Sequence, residues 1–196
     1  MNEVLESLRV GECVLLATDT VYGLAAMPST LGYMRIFELK RRDAQQVLPW
    51  LVGSVGDLDR YGEDVPVYAR KLAEAFWPGG LTLVVRASSE ARALGSVADD
   101  GTVALRMPDE PFALKLLGEL SAPVACTSAN LHGLPAPQHL ADVDPSMREL
   151  ACDAGIPSSC KGGTASTIVD CTQPASPRII RHGALSDEAI QACLDS

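Results

Sequence analysis

Short runs of apolar residues alternate with longer segments of helical periodicity along this chain. A continuous apolar run of about four to eight residues, bounded by polar or turn residues, is typical of a buried strand. The predicted strands cover 14–17, 21–26, 47–52, 81–86, 102–106, 124–127, 166–170 and 178–181. Pro49 places the third of these at an edge or a bulge, because proline cannot donate to a strand ladder.

Helical periodicity predicts helices over 2–10, 31–40, 65–77 and 111–120, with a last helix capped by Ser186. Thr30 is a suitable cap for the second helix, since a threonine hydroxyl accepts from a backbone N–H of the first turn. Leu31, Met34 and Phe37 recur there at helical spacing. The helices separate most of the predicted strands.

Strands and helices alternate throughout and no internal repeat is visible. This order predicts a mixed α/β (α+β) domain, a sheet flanked by helices. The 196 residues suit one domain, covering 1–196, with a sizeable core. Polar tripeptides at strand ends, Thr18-Asp19-Thr20 and Ser128-Ala129-Asn130, lie where such sheets place ligand sites.

Composition narrows the class of protein. Apolar residues make up 47% and charged residues 21%, an ordinary globular balance, and no apolar run is long enough to span a bilayer. The first residues carry glutamates rather than a basic leader, which argues against a signal peptide. Six scattered cysteines without a Cys-x-x-Cys pair, and only three histidines, argue against zinc and predict reduced thiols in a cytoplasmic protein. The net charge of −9 disfavours non-specific nucleic-acid binding.

One stretch runs against that acidic balance. Lys40, Arg41 and Arg42 are the only three consecutive cations in the sequence, at the end of the helix predicted over 31–40. One or two cations suit the negative end of a helix dipole. Three together also suit a bound anion, for which polyphosphate is the commonest candidate. From this stretch alone both explanations remain open.

Several common chemistries lack their motifs. The chain has no phosphate-binding loop, no Gly-x-Gly-x-x-Gly and no Gly-x-Ser-x-Gly. Cys126, at a strand end, is interpreted as a buried cysteine rather than a nucleophile. What remains is a set of hydroxyls and cations on strand ends: Thr18, Thr20, Thr102, Thr127, Ser128, Ser166, Lys40, Arg42, Arg106 and Arg181. Together they describe a site that binds polyanions without a protein nucleophile.

The motifs, taken in order, resemble those of the threonylcarbamoyl-AMP synthase family. The matching segments, over roughly 10–185, are 18–24, Lys40-x-Arg42, Pro78-Gly79-Gly80-Leu81-Thr82, 103–108, Thr127-Ser128-Ala129-Asn130, 166–170 and Ile180-Arg181-x-Gly183. The resemblance implies a YrdC-like fold: a twisted, largely parallel sheet of about seven strands with helices on both faces. It also implies a reaction, in which L-threonine, bicarbonate and ATP give threonylcarbamoyl-AMP and pyrophosphate with Mg²⁺.

The resemblance further implies partners and residue roles. Threonylcarbamoyl-transferase proteins would pass the group to tRNA, and tRNA or double-stranded RNA would be a further ligand, with no membrane involved. Lys40 and Arg42 would be catalytic, at the triphosphate. The threonine ligands would be Thr20, Arg106, Cys126 and Ser166. The nucleotide ligands would be Lys40, Arg42, Gln46, Thr102, Ser128, Asn130, Ala136 and Arg181, and no residue is assigned to a metal.

The chain also departs from the family pattern. Asp43 stands where a proline usually follows the arginine, and Gln46 and Val47 replace a Lys or Asn and a Pro. The triphosphate end is thereby less positive by up to two charges, which leaves two alternatives open. One is a divergent paralogue that binds RNA or a nucleotide without this activity. The other is a related enzyme that forms a carbamoyl-adenylate from carbamoyl phosphate for metallocentre assembly.

Overall fold

The computed structural model describes residues 1–41, 43, 47–131, 133–150, 160 and 162–196. Its helices are α1 Asn2–Arg9, α2 Leu31–Lys40, α3 Asp57–Tyr61, α4 Val67–Phe76, α5 Ser89–Leu94, α6 Pro111–Leu120, α7 Pro145–Arg148 and α8 Asp187–Asp195. Its strands are β1 Val14–Ala17, β2 Tyr22–Ala26, β3 Trp50–Leu51, β4 Gly62–Glu63, β5 Leu81–Ala87, β6 Thr102–Arg106, β7 Val124–Ser128, β8 Thr167–Asp170 and β9 Arg178–Arg181. No helix in these ranges is long and apolar enough to cross a bilayer.

The strands form one mixed sheet in the order β1-β2-β7-β3-β6-β5-β8-β9, with β4 paired to β5. The predicted fold class, a mixed sheet with helices, is confirmed. Two details of the expectation change. The described residues contain nine strands rather than about seven, and the short β4, which pairs with β5, is the one that the apolar pattern did not predict. Parallel pairing is confined there to β3 with β6 and β5 with β8, and the other pairings are antiparallel.

Side chains alternate between two apolar layers, as period-two strands require. In β1, Leu15 and Ala17 face the larger core under α2, α4 and α8, whereas Val14 and Leu16 face a smaller core under α1 and α6. Helices therefore cover both faces, as predicted. The smaller core includes residues of β1, β2, β3 and β7. The helices α1 and α6 therefore cover only that end of the sheet face on which they lie.

The inward face of α2 differs from the one that the sequence spacing suggested. Thr30 caps the helix by accepting from the N–H of Tyr33 at 3.3 Å, as predicted. However, Leu31 is 88% exposed and Met34 50% exposed. The buried stripe is instead Tyr33, Ile36, Phe37 and Lys40. Successive steps of three drift around a helix, whereas this i, i+3, i+4, i+7 set stays on one face. A cation thus lies at the end of a buried stripe.

Candidate active site

The half of the sheet face that α1 and α6 leave uncovered forms a cavity of about 290 Å³. Its volume is near the lower end of small-molecule sites. Apolar side chains of β5, β6 and β8 supply the floor, including Val84, Ala104 and Ile168. The polar lining consists of Thr18, Thr20, Thr82, Arg106, Thr127, Ser128, Ser166 and Arg181, with the thiol of Cys126. Most of these residues stand at or beside strand ends.

Thr18 and Thr20 belong to a tight turn between β1 and β2. The Thr18 hydroxyl donates to the carbonyl of Val21 at 2.7 Å, and it accepts from the N–H groups of Thr20 and Val21 at 3.2 Å. Because its proton is used, the 2.9 Å contact between the two hydroxyls requires Thr20 to donate to Thr18. Thr20 also accepts from Arg106. One lone pair of Thr20 then remains for a donor on a ligand.

Arg106, at the end of β6, is held on three sides. Its Nε donates to the carbonyl of Gly79 at 2.9 Å, and Nη1 donates to Thr20 at 2.9 Å. Nη2 donates to the carboxylate of Asp19 at 2.5 Å. One N–H on each terminal nitrogen has no partner among the described residues, so the group can still donate to an anionic ligand.

Arg181, on β9, lies across the same cavity and has only neutral acceptors in the described part of the chain. Its Nε and Nη2 donate to the carbonyl of Ser166, at 3.1 and 2.8 Å. Nη2 also donates to the Ser166 hydroxyl at 3.0 Å, and that hydroxyl is 2.7 Å from the hydroxyl of Thr82. Burial, together with the charge of Arg106, lowers the pKa of Arg181. The positive charges of the two guanidinium groups repel each other, so the pair predicts an anion bound between them.

Lys40 is the last residue of α2, and its ammonium reaches the end of β7. The residue is 3% exposed. Its ammonium donates to the carbonyl of Ser128, to the carbonyl of Asn130 at 2.7 Å and to the side-chain oxygen of Asn130 at 3.1 Å. Arg41, the next cation, is exposed. The cations of the basic stretch therefore do not act as one group. Lys40 holds the turn after β7 beside the cavity, and Arg42 lies outside the described residues.

Cys126 lines the cavity as a thiol. Burial raises its pKa to about 12, although the charges of Arg106 and Lys40 act in the opposite direction. A thiol with that pKa is overwhelmingly protonated near neutral pH, so it is not a nucleophile. The interpretation of Cys126 as a buried cysteine is confirmed.

The same burial makes a prediction about alkaline stability. Burial raises the pKa of Cys126 and of Cys171 to about 12, from 9.0 in the unfolded chain. The unfolded chain therefore releases these protons first, so their contribution is complete below pH 9 and is lost as the pH rises towards 12. We expect each thiol to lower the free energy of unfolding by on the order of 1 kcal/mol per pH unit above pH 9. Urea unfolding under reducing conditions at pH 8, 9 and 10 measures this slope.

Matched variants isolate the thiols from the other groups that titrate in that range. Cys126→Ala and Cys171→Ala should each show a shallower decline than the wild type, whatever their stability at pH 8. Parallel curves for wild type and both variants would contradict the assigned burial effect.

The structure brings most of the predicted ligands together. Thr20, Arg106, Cys126, Ser128, Ser166 and Arg181 line one cavity, and Lys40 and Asn130 adjoin it through their mutual contact. Thr102 lies at the opposite end of β6 from Arg106, about 13 Å away along the strand, and its hydroxyl donates to Asp100 at 2.6 Å.

Two other assignments remain predictions. Ala136 stands in the loop after β7, beside Pro137, whose carbonyl accepts from Tyr22 at 3.2 Å, and it is not among the residues that line the cavity. Gln46, like Arg42, falls outside the described residues.

Two residues of the site were given no role from the sequence. Thr82 is 1% exposed as the second residue of β5, and a polar residue next to an apolar run was the available signal. Asp19 lies between two predicted ligands, and only its tertiary contact with Arg106 distinguishes it from a turn aspartate. The mixed sheet thus carries a one-sided cavity lined by cations and hydroxyls, which favours an anionic ligand.

Comparison with known proteins identifies the family. The family model Sua5_yciO_yrdC, described as telomere recombination, matches residues 6–183. The chain belongs to this Sua5/YciO/YrdC family. It is 35% identical to a threonylcarbamoyl-AMP synthase of Bacillus subtilis over 192 residues, which is 95% of this chain and 54% of that protein. It is 38% identical to a putative threonylcarbamoyl-AMP synthase of Mycobacterium tuberculosis H37Rv over 196 residues, covering 96% of this chain and 86% of that protein.

A solved structure agrees with the sequence relatives. The crystal structure of Pyrococcus abyssi Sua5 complexed with L-threonine superposes with a TM-score of 0.86 at 34% identity, covering 97% of this chain and 56% of that one. The chain thus spans about half the length of the Bacillus and Pyrococcus proteins and most of the mycobacterial one.

Proposed function

We propose that this protein is a threonylcarbamoyl-AMP synthase, which joins L-threonine, bicarbonate and ATP and releases pyrophosphate. The observation that carries the proposal is the cavity between Arg106 and Arg181, where Asp19 pairs with Arg106 and no carboxylate among the described residues pairs with Arg181. This excess of positive charge favours anionic ligands. The names of the curated relatives and the threonine complex of the Pyrococcus protein support the choice of ligand.

Threonine fits the polarity of the Arg106 side of the cavity. The two N–H groups of Arg106 left over by the described contacts suit the carboxylate, and the remaining lone pair of Thr20 suits an amino or hydroxyl donor. Apolar floor residues such as Ala104 and Ile168 suit the methyl group. Two adjacent sites of opposite polarity are what an α-amino acid requires.

The chemistry needs positioning rather than covalent catalysis. The threonine amine combines with bicarbonate, releasing water, and a carbamate oxygen then attacks the α-phosphate of ATP and expels pyrophosphate. Arg181 and the β7 turn held by Lys40 would bind the nucleotide and stabilise its developing charge. Binding in one cavity would hold the labile carbamate beside the α-phosphate until it is captured. The protonated thiol of Cys126 takes no covalent part.

The finer parts of the proposal rest on the family resemblance. Mg²⁺ would accompany the ATP phosphates, because Mg²⁺ is commonly held largely by phosphates and water. Transfer proteins, tRNA or double-stranded RNA as partners, and a cytoplasmic location remain proposals of the same kind.

Pyrophosphate release tests the activity. With ATP, Mg²⁺, L-threonine and labelled bicarbonate, we expect pyrophosphate and a labelled adenylate in equal amounts, because one carbamate displaces one pyrophosphate. Omitting threonine or bicarbonate should abolish both products. Pyrophosphate release that does not depend on threonine would overturn the proposal, and no release under any condition would favour the paralogue that only binds a nucleotide.

A further inference from the structure

The ion pair between Asp19 and Arg106 is the most buried one in the described part of the chain. The Arg106 side chain is 8% exposed and that of Asp19 14% exposed. In every other described ion pair at least one partner is more than 40% exposed, as in Arg70 with Asp59. A buried ion pair is a weak source of net stability, because desolvation offsets most of the attraction. Its presence beside a cavity therefore suggests a role other than stability.

Asp19 does not line the cavity that Arg106 lines. Its carboxylate meets Nη2, while Thr20 and Gly79 accept from the other two nitrogens. Each nitrogen of the guanidinium thus has one acceptor of its own, and the plane of the group is fixed. Asp19 contacts the group that faces the ligand, not the ligand itself.

The backbone that carries Asp19 is also held in place. The Thr18 hydroxyl accepts from two N–H groups of the turn. From outside the turn, the N–H of Gly162 donates to the carbonyl of Asp19 at 2.8 Å, and the N–H of Gly163 donates to the carbonyl of Thr20 at 2.7 Å. A side chain at position 162 would bring its Cβ within 2.7 Å of the Asp19 carbonyl oxygen, so this approach requires glycine. The carboxylate is therefore presented from a rigid support.

We propose that Asp19 is a positioning residue, which holds the Arg106 guanidinium so that its two remaining N–H groups face the carboxylate of the amino-acid substrate. The inference rests on the proposed function for the identity of that substrate. Preorganised groups bind more tightly because less freedom is lost on binding. The carboxylate of Asp19 also opposes an anionic ligand electrostatically, so the orienting effect must exceed this repulsion.

These two effects of Asp19 predict opposite outcomes when it is removed. If Asp19 orients Arg106, Asp19→Ala weakens L-threonine binding, by about 10- to 100-fold for the loss of a charge-assisted hydrogen bond. Asp19→Asn keeps an oxygen acceptor and should lose only about threefold. If Asp19 only neutralised Arg106, both variants would bind threonine more tightly. Isothermal titration with L-threonine, which needs no turnover, gives the sign.

Further measurements separate positioning from a general structural defect. In steady state, Asp19→Ala should raise the KM for threonine and leave the KM for ATP unchanged. It should have little further effect in an Arg106→Lys background, because the group that it orients is already lost. The control, Asp59→Ala, breaks the exposed ion pair with Arg70 and should leave threonine binding unchanged. Fluorescence of the two buried tryptophans, Trp50 and Trp77, reports whether each variant is folded.

A readout without threonine keeps this inference distinct from the proposed function. In ¹⁵N spectra of arginine side chains, the guanidinium group of Arg106 should rotate slowly about its C–N bonds in wild type and Asp19→Asn. It should rotate fast in Asp19→Ala. If the wild-type protein did not bind threonine, the proposed function would be wrong. These spectra would still show whether Asp19 holds the Arg106 guanidinium in place. Unchanged or tighter threonine binding in Asp19→Ala, or unchanged rotation, overturns the inference.

Discussion

Replacing Arg106 with alanine should lower kcat/KM for threonine by about 100- to 1,000-fold, because truncation of one member of a buried, hydrogen-bonded charge pair costs about 2–5 kcal/mol. The variant loses the proposed partner of the substrate carboxylate and also leaves Asp19 buried without its cation. Arg106→Lys keeps the charge but not the two-pronged geometry, so it should recover only part of the loss. Initial rates of pyrophosphate release against threonine concentration measure both variants.

Arg86 provides the matched control for this prediction. It is an exposed arginine on β5, the strand next to β6. Arg86→Ala should leave kcat/KM for threonine within about twofold of the wild type, since exposed side chains away from the site contribute little. Equal losses in the two variants would show a general effect of removing a strand arginine, and wild-type kinetics in a folded Arg106→Ala would exclude the carboxylate role.

The strand-end hydroxyls and cations could be predicted as one site because strand ends are visible in the apolar pattern. Ser128, Ser166 and Arg181 lie far apart in sequence, and the sheet order β7-β3-β6-β5-β8-β9 brings them to one face. Sequence spacing alone did not give that order. The neighbours of a strand depend on tertiary packing, so the order came only from the structure.

The assignment of Thr102 to the nucleotide remains a prediction. Thr102 and Arg106 begin and end one strand, so the nucleotide contact of Thr102 and the threonine contact of Arg106 would lie at opposite ends of β6. Counting along the strand gives a separation of about 13 Å. That geometric argument was available from the sequence, once the strand over 102–106 had been predicted.

The face of α2 shows a different limit. Of the apolar residues at a spacing of three, Phe37 is buried, whereas Leu31 and Met34 are exposed. The buried stripe of α2 includes Lys40, a charged residue that hydropathy predicts to be exposed. Its ammonium is satisfied by oxygens of Ser128 and Asn130, which arrive from β7, about 90 positions further along the chain. Burial of a cation depends on such distant acceptors, so local pattern cannot predict it.

Discrimination among amino acids is expected to be the sharpest property of the site. With L-valine in place of L-threonine, we expect pyrophosphate release to fall by about 10⁴-fold or more, because a site that hydrogen-bonds a substrate hydroxyl is left with unpaired buried polar groups by an analogue that lacks it. Thr20, Ser128 and Ser166 supply hydroxyls around the cavity for that contact. L-Serine keeps the hydroxyl and lacks only the methyl group, so its rate should fall about 10- to 200-fold.

The order of the rates with threonine, serine and valine distinguishes a threonylcarbamoyl-AMP synthase from a paralogue without that activity. At fixed ATP and bicarbonate, threonine should exceed serine and serine should exceed valine, with valine close to the rate without an amino acid. A site selected for shape alone would reverse the last two, because valine matches threonine in volume and fills the space above Ala104 and Ile168. Equal rates with all three and with none would exclude a threonine site, and the cavity between Arg106 and Arg181 would then hold the nucleotide of a paralogue that lacks the synthase reaction.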